Sequence, residues 1–96
     1  MPLAAREDDT CSTGHSGDSS TNIDTPTLNS TVFIEGKLAA RLDDYTDSHS
    51  TGSDSHTAQI SSASEHVYIT GKRAARLGDN VDSGSITGSA TYTYIG

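Results

Sequence analysis

Four side chains of this 96-residue chain have the chemistry of metal ligands: Cys11, His15, His49 and His56. A thiolate and three imidazoles suit a tetrahedral structural zinc site, and the Cys11–His15 spacing is within the close ligand spacings of such sites. If protein atoms fill all four positions, no position remains for an activated water. We therefore predict one zinc ion that stabilises the fold and takes no part in catalysis.

Other interpretations of these residues remain open from the sequence. Imidazole and thiolate also bind other transition metals, and His49 and His56 lie in a Ser- and Thr-rich segment where water could solvate them. His66 is a competing ligand, but it stands at the start of a predicted strand and is left out of the set. No serine lies in the strand–elbow–helix context of a catalytic nucleophile. We predict that the chain is not an enzyme.

The composition explains why a metal would be needed. Leu, Ile, Val and Phe together number 15, Ser and Thr number 28, and the net charge is −7. Low aliphatic content with such a charge is typical of disordered chains, and an ordinary hydrophobic core is out of reach. Metal binding would supply folding free energy that burial cannot. The acidic charge also argues against nucleic acid as a partner.

An internal repeat indicates that the chain nevertheless folds. Residues 31–44 match residues 66–79 at an offset of 35, and residues 2–9 match the second half of the same unit. Residues 93–96 resemble its first half. One unit is thus split between the two ends, so the chain can close into a ring with its last strand beside its first segment. We predict a single domain, residues 1–96, built of three units.

Each unit predicts a short β-hairpin. Val32, Phe33 and Ile34 are β-branched or aromatic, and Gly36 can supply the positive φ of a tight turn. The alanine pair that follows has side chains small enough for backbones to approach closely near a three-fold axis. An Arg and an Asp then recur three residues apart, and we expect them to pair or to hold the turn backbone: Arg6 with Asp9, Arg41 with Asp44, and Arg76 with Asp79.

The central residue of each predicted strand is aromatic: Phe33, Tyr68 and Tyr94. Strand alternation places these rings on the face opposite the Val and Ile side chains. Two roles are open, because the rings could dock on a three-fold partner or could pack as the domain's own small core. Aromatic side chains commonly anchor interfaces, and we assign the three rings to partner binding.

Three segments rich in Ser, Thr, Gly and Asp connect the units, at residues 10–30, 45–65 and 80–90. We predict that they are loops, of which the third is about half as long as the others. The four candidate ligands lie on the two long loops, which the repeat places at one end of the molecule. The third loop carries neither Cys nor His.

The repeated segments resemble a known family. Residues 1–6, 37–41 and 72–76 are similar to the Pro-Ala-Ala-Arg repeats of PAAR-domain proteins, and residues 31–36 and 66–71 resemble that family's Val-Phe-Ile-Asn-Gly strands. The resemblance covers essentially the whole chain. It departs from the family pattern in three ways: the motif proline survives only as Pro2, the glycine before the motif aspartate only as Gly78, and the ligand spacing differs from that of commoner members.

The resemblance implies an all-β fold, a small cone of short β-hairpins with pseudo-three-fold repeats and long loops, stabilised by an apical zinc. The family's ligands are three His and one Cys, which correspond to His15, His49, His56 and Cys11. The base of such a cone caps a trimeric β-helical spike, one tip chain per trimer, in type VI secretion systems or contractile phage tails.

The same resemblance implies a role in piercing the target cell envelope, with the membrane contacted under force. We expect the protein to be made in the bacterial cytoplasm and to act at a virion tail tip or at the tip of a secretion machine. Two alternative functions are an adaptor that recruits effector cargo to the spike and a free zinc-stabilised interaction module.

Overall fold

The computed structural model describes residues 1–25 and 31–96; residues 26–30, the end of the first predicted loop, lie outside the described residues. Within the described ranges, short strands pair as five two-stranded antiparallel hairpins and no helix is present, which confirms the predicted all-β fold of short hairpins. In this part of the chain no helix is therefore available to span a membrane. The strands are β1 (Thr10–Ser12), β2 (Ser20–Asn22), β3 (Phe33–Ile34), β4 (Lys37–Leu38), β5 (His49–Ser50), β6 (Ser55–His56), β7 (Tyr68–Ile69), β8 (Lys72–Arg73), β9 (Asn80–Val81) and β10 (Gly84–Ser85).

Two hairpins form where the repeat predicts them, β3–β4 and β7–β8. Both central turn residues have positive φ: 51° at Glu35 and 85° at Gly36, and 48° at Thr70 and 88° at Gly71. This pattern is that of the type I′ turn, whose twist matches the strands that it joins. The glycine was expected; the left-handed conformation of Glu35 and Thr70 was not.

The three segments predicted as loops each contain a further hairpin: β1–β2, β5–β6 and β9–β10. These strands consist mainly of Ser, Thr, Asn and His. They lack the alternating β-branched and aromatic residues by which strands are identified in a sequence. The segments therefore hold their shape through backbone pairing, and the candidate metal ligands lie on or beside these hairpins.

Three buried alanines join the repeated segments in a closed ring of backbone hydrogen bonds. The N–H of Ala5 donates to the carbonyl of Ala75 at 3.1 Å, that of Ala75 to Ala40 at 3.0 Å, and that of Ala40 to Ala5 at 3.0 Å. All three residues have 0% exposure. Interiors are packed too closely to admit extra side-chain atoms here, which gives the physical reason for alanine at this position of each unit.

The same contacts recur around this ring. The N–H groups of residues 7, 42 and 77 donate to the carbonyls of residues 38, 73 and 3 at 2.8–2.9 Å. In every unit the Asp carboxylate accepts the backbone N–H and the guanidinium of the Arg three residues earlier, which confirms the expected pairs: Arg6 with Asp9, Arg41 with Asp44, and Arg76 with Asp79.

The core consists of two small layers. One contains Ala4, Ala39, Ile69, Ala74, Ala90 and Ile95, with Val32, Ile34 and Val67 packed on it. The other contains Ala5, Cys11, Ile23, Ala40, Ile60, Ala75, Val81 and Ile86. The first layer underlies the β3–β4 and β7–β8 hairpins, and the second underlies the hairpins of the predicted loops. Alanine and isoleucine thus build a modest core from a chain with few large apolar residues.

The two ends of the chain lie side by side, as the repeat predicts. The N–H of Ile95 donates to the carbonyl of Pro2 at 2.9 Å, and that of Ala4 donates to Thr93 at 2.7 Å. The Glu35 carboxylate, at the tip of β3–β4, also holds residues 91–93 in place. It accepts the N–H groups of Thr91 and Tyr92 at 2.9 and 3.0 Å and the Thr93 hydroxyl at 2.8 Å.

Candidate metal centre

Three histidines and one aspartate bring ligand atoms to a single point. The Nε2 atoms of His15, His49 and His56 lie 2.9, 2.8 and 2.9 Å from the same carboxylate oxygen, Oδ2 of Asp82. The Nε2 atoms of His49 and His56 are 2.9 Å apart. One ligand atom from each of the four residues lies within 4.8 Å of the others, so the cluster could hold a metal ion.

Each of the three loop hairpins contributes to this cluster. His15 follows β1 in the turn toward β2, whereas His49 and His56 face each other directly in the β5–β6 register. Asp82 lies in the two-residue turn between β9 and β10, with a positive φ of 56°. The ligand set therefore ties together three hairpins that are far apart in the sequence.

Glycines allow the three hairpins to approach one another. A Cβ atom at Gly14, which has a φ of 77°, would collide with the backbone of Ser83 in the β9–β10 turn. A Cβ at Gly17 would collide with the backbone of Ser50, and one at Gly84 with the carbonyl of Ser12. Side chains at these positions would separate the hairpins and move the ligands apart.

A hydrogen bond outside the cluster orients His49. Its Nδ1 lies 2.9 Å from the carbonyl oxygen of Asp47, which can only accept, so Nδ1 carries the proton. In the neutral ring this leaves the Nε2 lone pair directed at the cluster, the arrangement in which metal-ligating histidines are usually held. The ring is also buried, with the residue 4% exposed.

The electrostatics of the cluster keep Asp82 ionised. Burial alone would raise the pKa of Asp82, but hydrogen bonds from His49, His56 and His15 outweigh burial and lower the pKa to about 2. Burial likewise would lower the pKa of His49, and its bonds to the Asp47 carbonyl and the Asp82 carboxylate raise it instead. The cluster thus combines a carboxylate held in its charged form with a buried imidazole, that of His49, whose protonated form is favoured.

The donor atoms fit a small tetrahedral cation. Metal–ligand bonds of about 2.0–2.1 Å separate the ligand atoms of a regular tetrahedron by about 3.3–3.4 Å. The three distances to Asp82 Oδ2 and the His49–His56 distance, 2.8–2.9 Å, are slightly shorter, and all four ligand atoms lie within 4.8 Å of one another. Small movements of the side chains would therefore be enough to surround an ion. Three imidazoles and a carboxylate suit zinc and other divalent first-row metals.

The structure does not bring Cys11 to this cluster, and the predicted ligand set is corrected accordingly. Cys11 has 0% exposure and lies in the core layer with Ile23, Ile60 and Ile86. Burial is the largest cause that raises the pKa of its thiol to about 12. A thiol that stays protonated is a poor ligand. Asp82 stands in the position that Cys11 was expected to fill.

Asp82 was missed because the candidate ligands were sought among Cys and His alone. The third loop contains neither, and the chain has 13 acidic residues among which no carboxylate stands out. The repeat could have indicated Asp82: if the three loops are equivalent, the third loop should also contribute a ligand to the site. A turn residue between Val81 and Gly84 would then be the natural candidate.

The aromatic residues of the repeat lie at the surface. Phe33, Tyr68 and Tyr94 are 60%, 62% and 56% exposed. The alternative in which these rings form the domain's own core is therefore excluded. Their neighbours Val32, Ile34 and Val67 pack inward on the first core layer instead.

No protein-family model matches this chain, and no curated protein is similar enough in sequence to be counted as a relative.

Cobalt substitution separates the two candidates for the fourth ligand. We expect Co²⁺ bound to the purified protein to show no thiolate-to-cobalt charge-transfer absorption, because Asp82 rather than Cys11 completes the set. Asp82→Ala removes one of the four ligands and should weaken Co²⁺ binding by more than the roughly 10-fold that loss of a ligand's hydrogen-bond partner can cost, whereas Cys11→Ala should keep the affinity. A charge-transfer band that disappears in Cys11→Ala would contradict the assignment.

The pH dependence of stability should change sign with metal. The raised pKa of His49 stabilises the metal-free fold below the ordinary value of 6.5, and this contribution is lost as the pH rises through the raised pKa. Metal binding needs neutral imidazoles, so its contribution grows with pH. Between about pH 6 and 8, melting temperature should fall in chelator and rise with bound metal. His66→Gln, outside the cluster, is the control; parallel slopes in the two conditions would contradict the account.

Proposed function

We propose that this protein is the metal-stabilised tip of a contractile injection machine, a phage tail or a type VI secretion system. In this proposal it caps a trimeric β-helical spike, one tip chain per trimer, and helps the spike to pierce the target cell envelope. The observation that carries the proposal is the exposure of three aromatic rings at equivalent strand positions, Phe33, Tyr68 and Tyr94.

A three-fold arrangement of the units supports docking on a trimer. We propose that the closed alanine ring and the recurring contacts around it reflect an approximate three-fold axis through Ala5, Ala40 and Ala75. Each spike chain would then meet one aromatic ring in the same way. Exposed apolar groups arranged together commonly mark an interaction surface, and central aromatic anchors account for much of the binding energy of interfaces.

The position of the metal cluster supports an apex at the other side of the core. The aromatic hairpins rest on the layer that contains Ile69 and Ile95, and the hairpins that bear the ligands rest on the layer that contains Ile23 and Ile60. We propose that the bound metal is zinc. A tip under force fails at its unfolding rate rather than at its equilibrium stability, and a metal that joins three hairpins would slow that unfolding.

The remaining expectations are part of the same proposal. A tetrahedral ion held by four protein ligands has no position for substrate, so we propose no enzymatic activity. The net charge of −7 opposes binding to nucleic acid and to anionic lipid, so contact with the membrane would have to be driven by the machine. Synthesis in the bacterial cytoplasm, followed by delivery at the tip, is consistent with this role.

The docking assignment is tested with Tyr68→Ser. Because the Tyr68 ring is 62% exposed, its loss should leave melting temperature and metal content nearly unchanged while it weakens binding to a trimeric β-helical spike fragment. Pull-down and calorimetry with that fragment should give three spike chains per tip chain for the unaltered protein. Tyr92→Ser is the matched control, because Tyr92 is 74% exposed but lies outside the equivalent positions.

Two outcomes would contradict the proposal. Equal spike binding by Tyr68→Ser and Tyr92→Ser would remove the aromatic docking surface. Failure of the unaltered protein to bind any trimeric β-helix would favour the free interaction module instead. An adaptor role predicts spike binding together with the capture of a further protein.

A further inference from the structure

Arg76, the third of the repeated arginines, is more exposed and has fewer hydrogen-bond partners than Arg6 and Arg41. Beyond its aspartate partner, Arg41 donates from Nη1 to the Thr70 hydroxyl at 2.6 Å, and Arg6 donates from Nη2 to the Ser89 carbonyl at 3.0 Å. Within the described ranges, the guanidinium of Arg76 bonds only to Asp79. Its side chain is 23% exposed, against 12% for Arg6 and 0% for Arg41.

A cleft of about 480 Å³ opens beside Arg76. Its lining includes a second cation, Arg73, together with His66, Glu65, Ser62 and Gly96. Arg73 and Arg76 are two of only six Lys and Arg residues in an acidic chain. No hydrogen bond of the Arg73 side chain occurs among the described residues, so its guanidinium is available to a ligand.

In the other two units, a side chain from a hairpin tip occupies the place that corresponds to this cleft. The residue after the strand isoleucine is Glu35 in one unit and Thr70 in the next. The Thr70 hydroxyl accepts from Arg41, and the Glu35 charge is near enough to Arg6 to help to raise its pKa, although the two side chains form no ion pair. In the third unit the residue after Ile95 is Gly96, which has no side chain to offer Arg76.

The backbone donors of the Glu35 site also have counterparts at the cleft. Glu35 accepts the N–H groups of Thr91 and Tyr92, which lie three and two residues before Tyr94. The residues at the same distances before Tyr68 are Glu65 and His66, and both line the cleft. The N–H of His66 already donates to the Ser64 hydroxyl at 3.2 Å, so the arginines are the main donors here.

We propose that this cleft binds a carboxylate from a second molecule, namely an acidic side chain of a protein partner, in the place that Glu35 fills beside Arg6. A planar guanidinium matches a carboxylate in two parallel hydrogen bonds. Two charges oppose the ligand: Asp79, which already pairs with Arg76, and Glu65, which also helps to raise the pKa of Arg76. The two arginines and these two carboxylates balance in charge, so the ligand would be held by hydrogen bonds from the Arg73 guanidinium, which has no hydrogen bond of its own among the described residues. This site is independent of the tip function.

Acetate is the probe for the isolated protein. Titration with sodium acetate, against sodium chloride at equal ionic strength, should give saturable amide and arginine Nε shifts at residues 62–66, 73 and 76. Arg73→Gln should weaken acetate binding about ten-fold, as expected for loss of a hydrogen bond to a charged group. Glu65→Gln should strengthen it. Lys72→Gln is the control, because Lys72 pairs with Asp43 at 3.0 Å and does not line the cleft.

A tethered carboxylate gives a second, independent test. A Cβ atom at Gly96 would have only the Met1 sulfur within 4 Å, at 3.7 Å, so a side chain fits there. Gly96→Glu should fill the cleft from within and abolish acetate binding, and Gly96→Gln should leave binding intact. The proposal is overturned if acetate shifts do not saturate, if Arg73→Gln and Lys72→Gln bind acetate equally, or if Gly96→Glu binds it as well as Gly96→Gln does.

Discussion

The fold depends on the close approach of three backbones at Ala5, Ala40 and Ala75. Each N–H in this ring bonds to the next segment's carbonyl, so the three segments fix one another without large side chains. The ring aligns the three repeated segments with one another, and the same backbone contacts therefore recur in each of them. The aromatic hairpins pack on the layer that contains Ala4, Ala39 and Ala74, and the polar hairpins pack on the layer that contains Ala5, Ala40 and Ala75. A conventional core of large apolar residues is unnecessary because hydrogen bonds replace much of its ordering role.

The four-residue cluster and the alanine ring hold different parts of the fold: the ring joins the repeated segments, and the cluster joins the polar hairpins. The polar hairpins reach the second core layer through only a few residues, such as Cys11 and Val81, and their own strands are only two or three residues long. Without an ion, three imidazoles crowd one carboxylate oxygen, and His49 needs a proton on each ring nitrogen to donate both to the Asp47 carbonyl and to the Asp82 carboxylate. A divalent ion would take the place of the proton on Nε2 and could bond to all four groups at once. A bound ion would cross-link the three polar hairpins, which otherwise hold together through short strands and the second core layer.

The sequence predicted those features that the repeat encodes directly. The hairpin at Gly36, the pairing of Arg41 with Asp44 and the contact between the chain ends follow from spacing and turn chemistry. The convergence of His15, His49 and His56 was also predicted, because imidazoles on equivalent loops were assumed to meet. Features set by three-dimensional packing were harder to predict: Cys11 alternates into the core as the middle residue of β1, and Asp82 reaches the site through a turn of positive φ. Neither fact has a signature in residue type alone.

The alanine ring and the ligand cluster are expected to stabilise different parts of the fold. Amide hydrogen exchange with and without metal tests this most directly. The protein is measured as purified with one equivalent of zinc and again after removal of metal by a chelator. We expect Ala5, Ala40 and Ala75 to remain the most protected amides in both states, while the β1–β2, β5–β6 and β9–β10 hairpins exchange much faster without metal. Equal loss of protection in the alanine ring and in the hairpins would contradict this expectation, and so would protection of the hairpins that does not depend on metal.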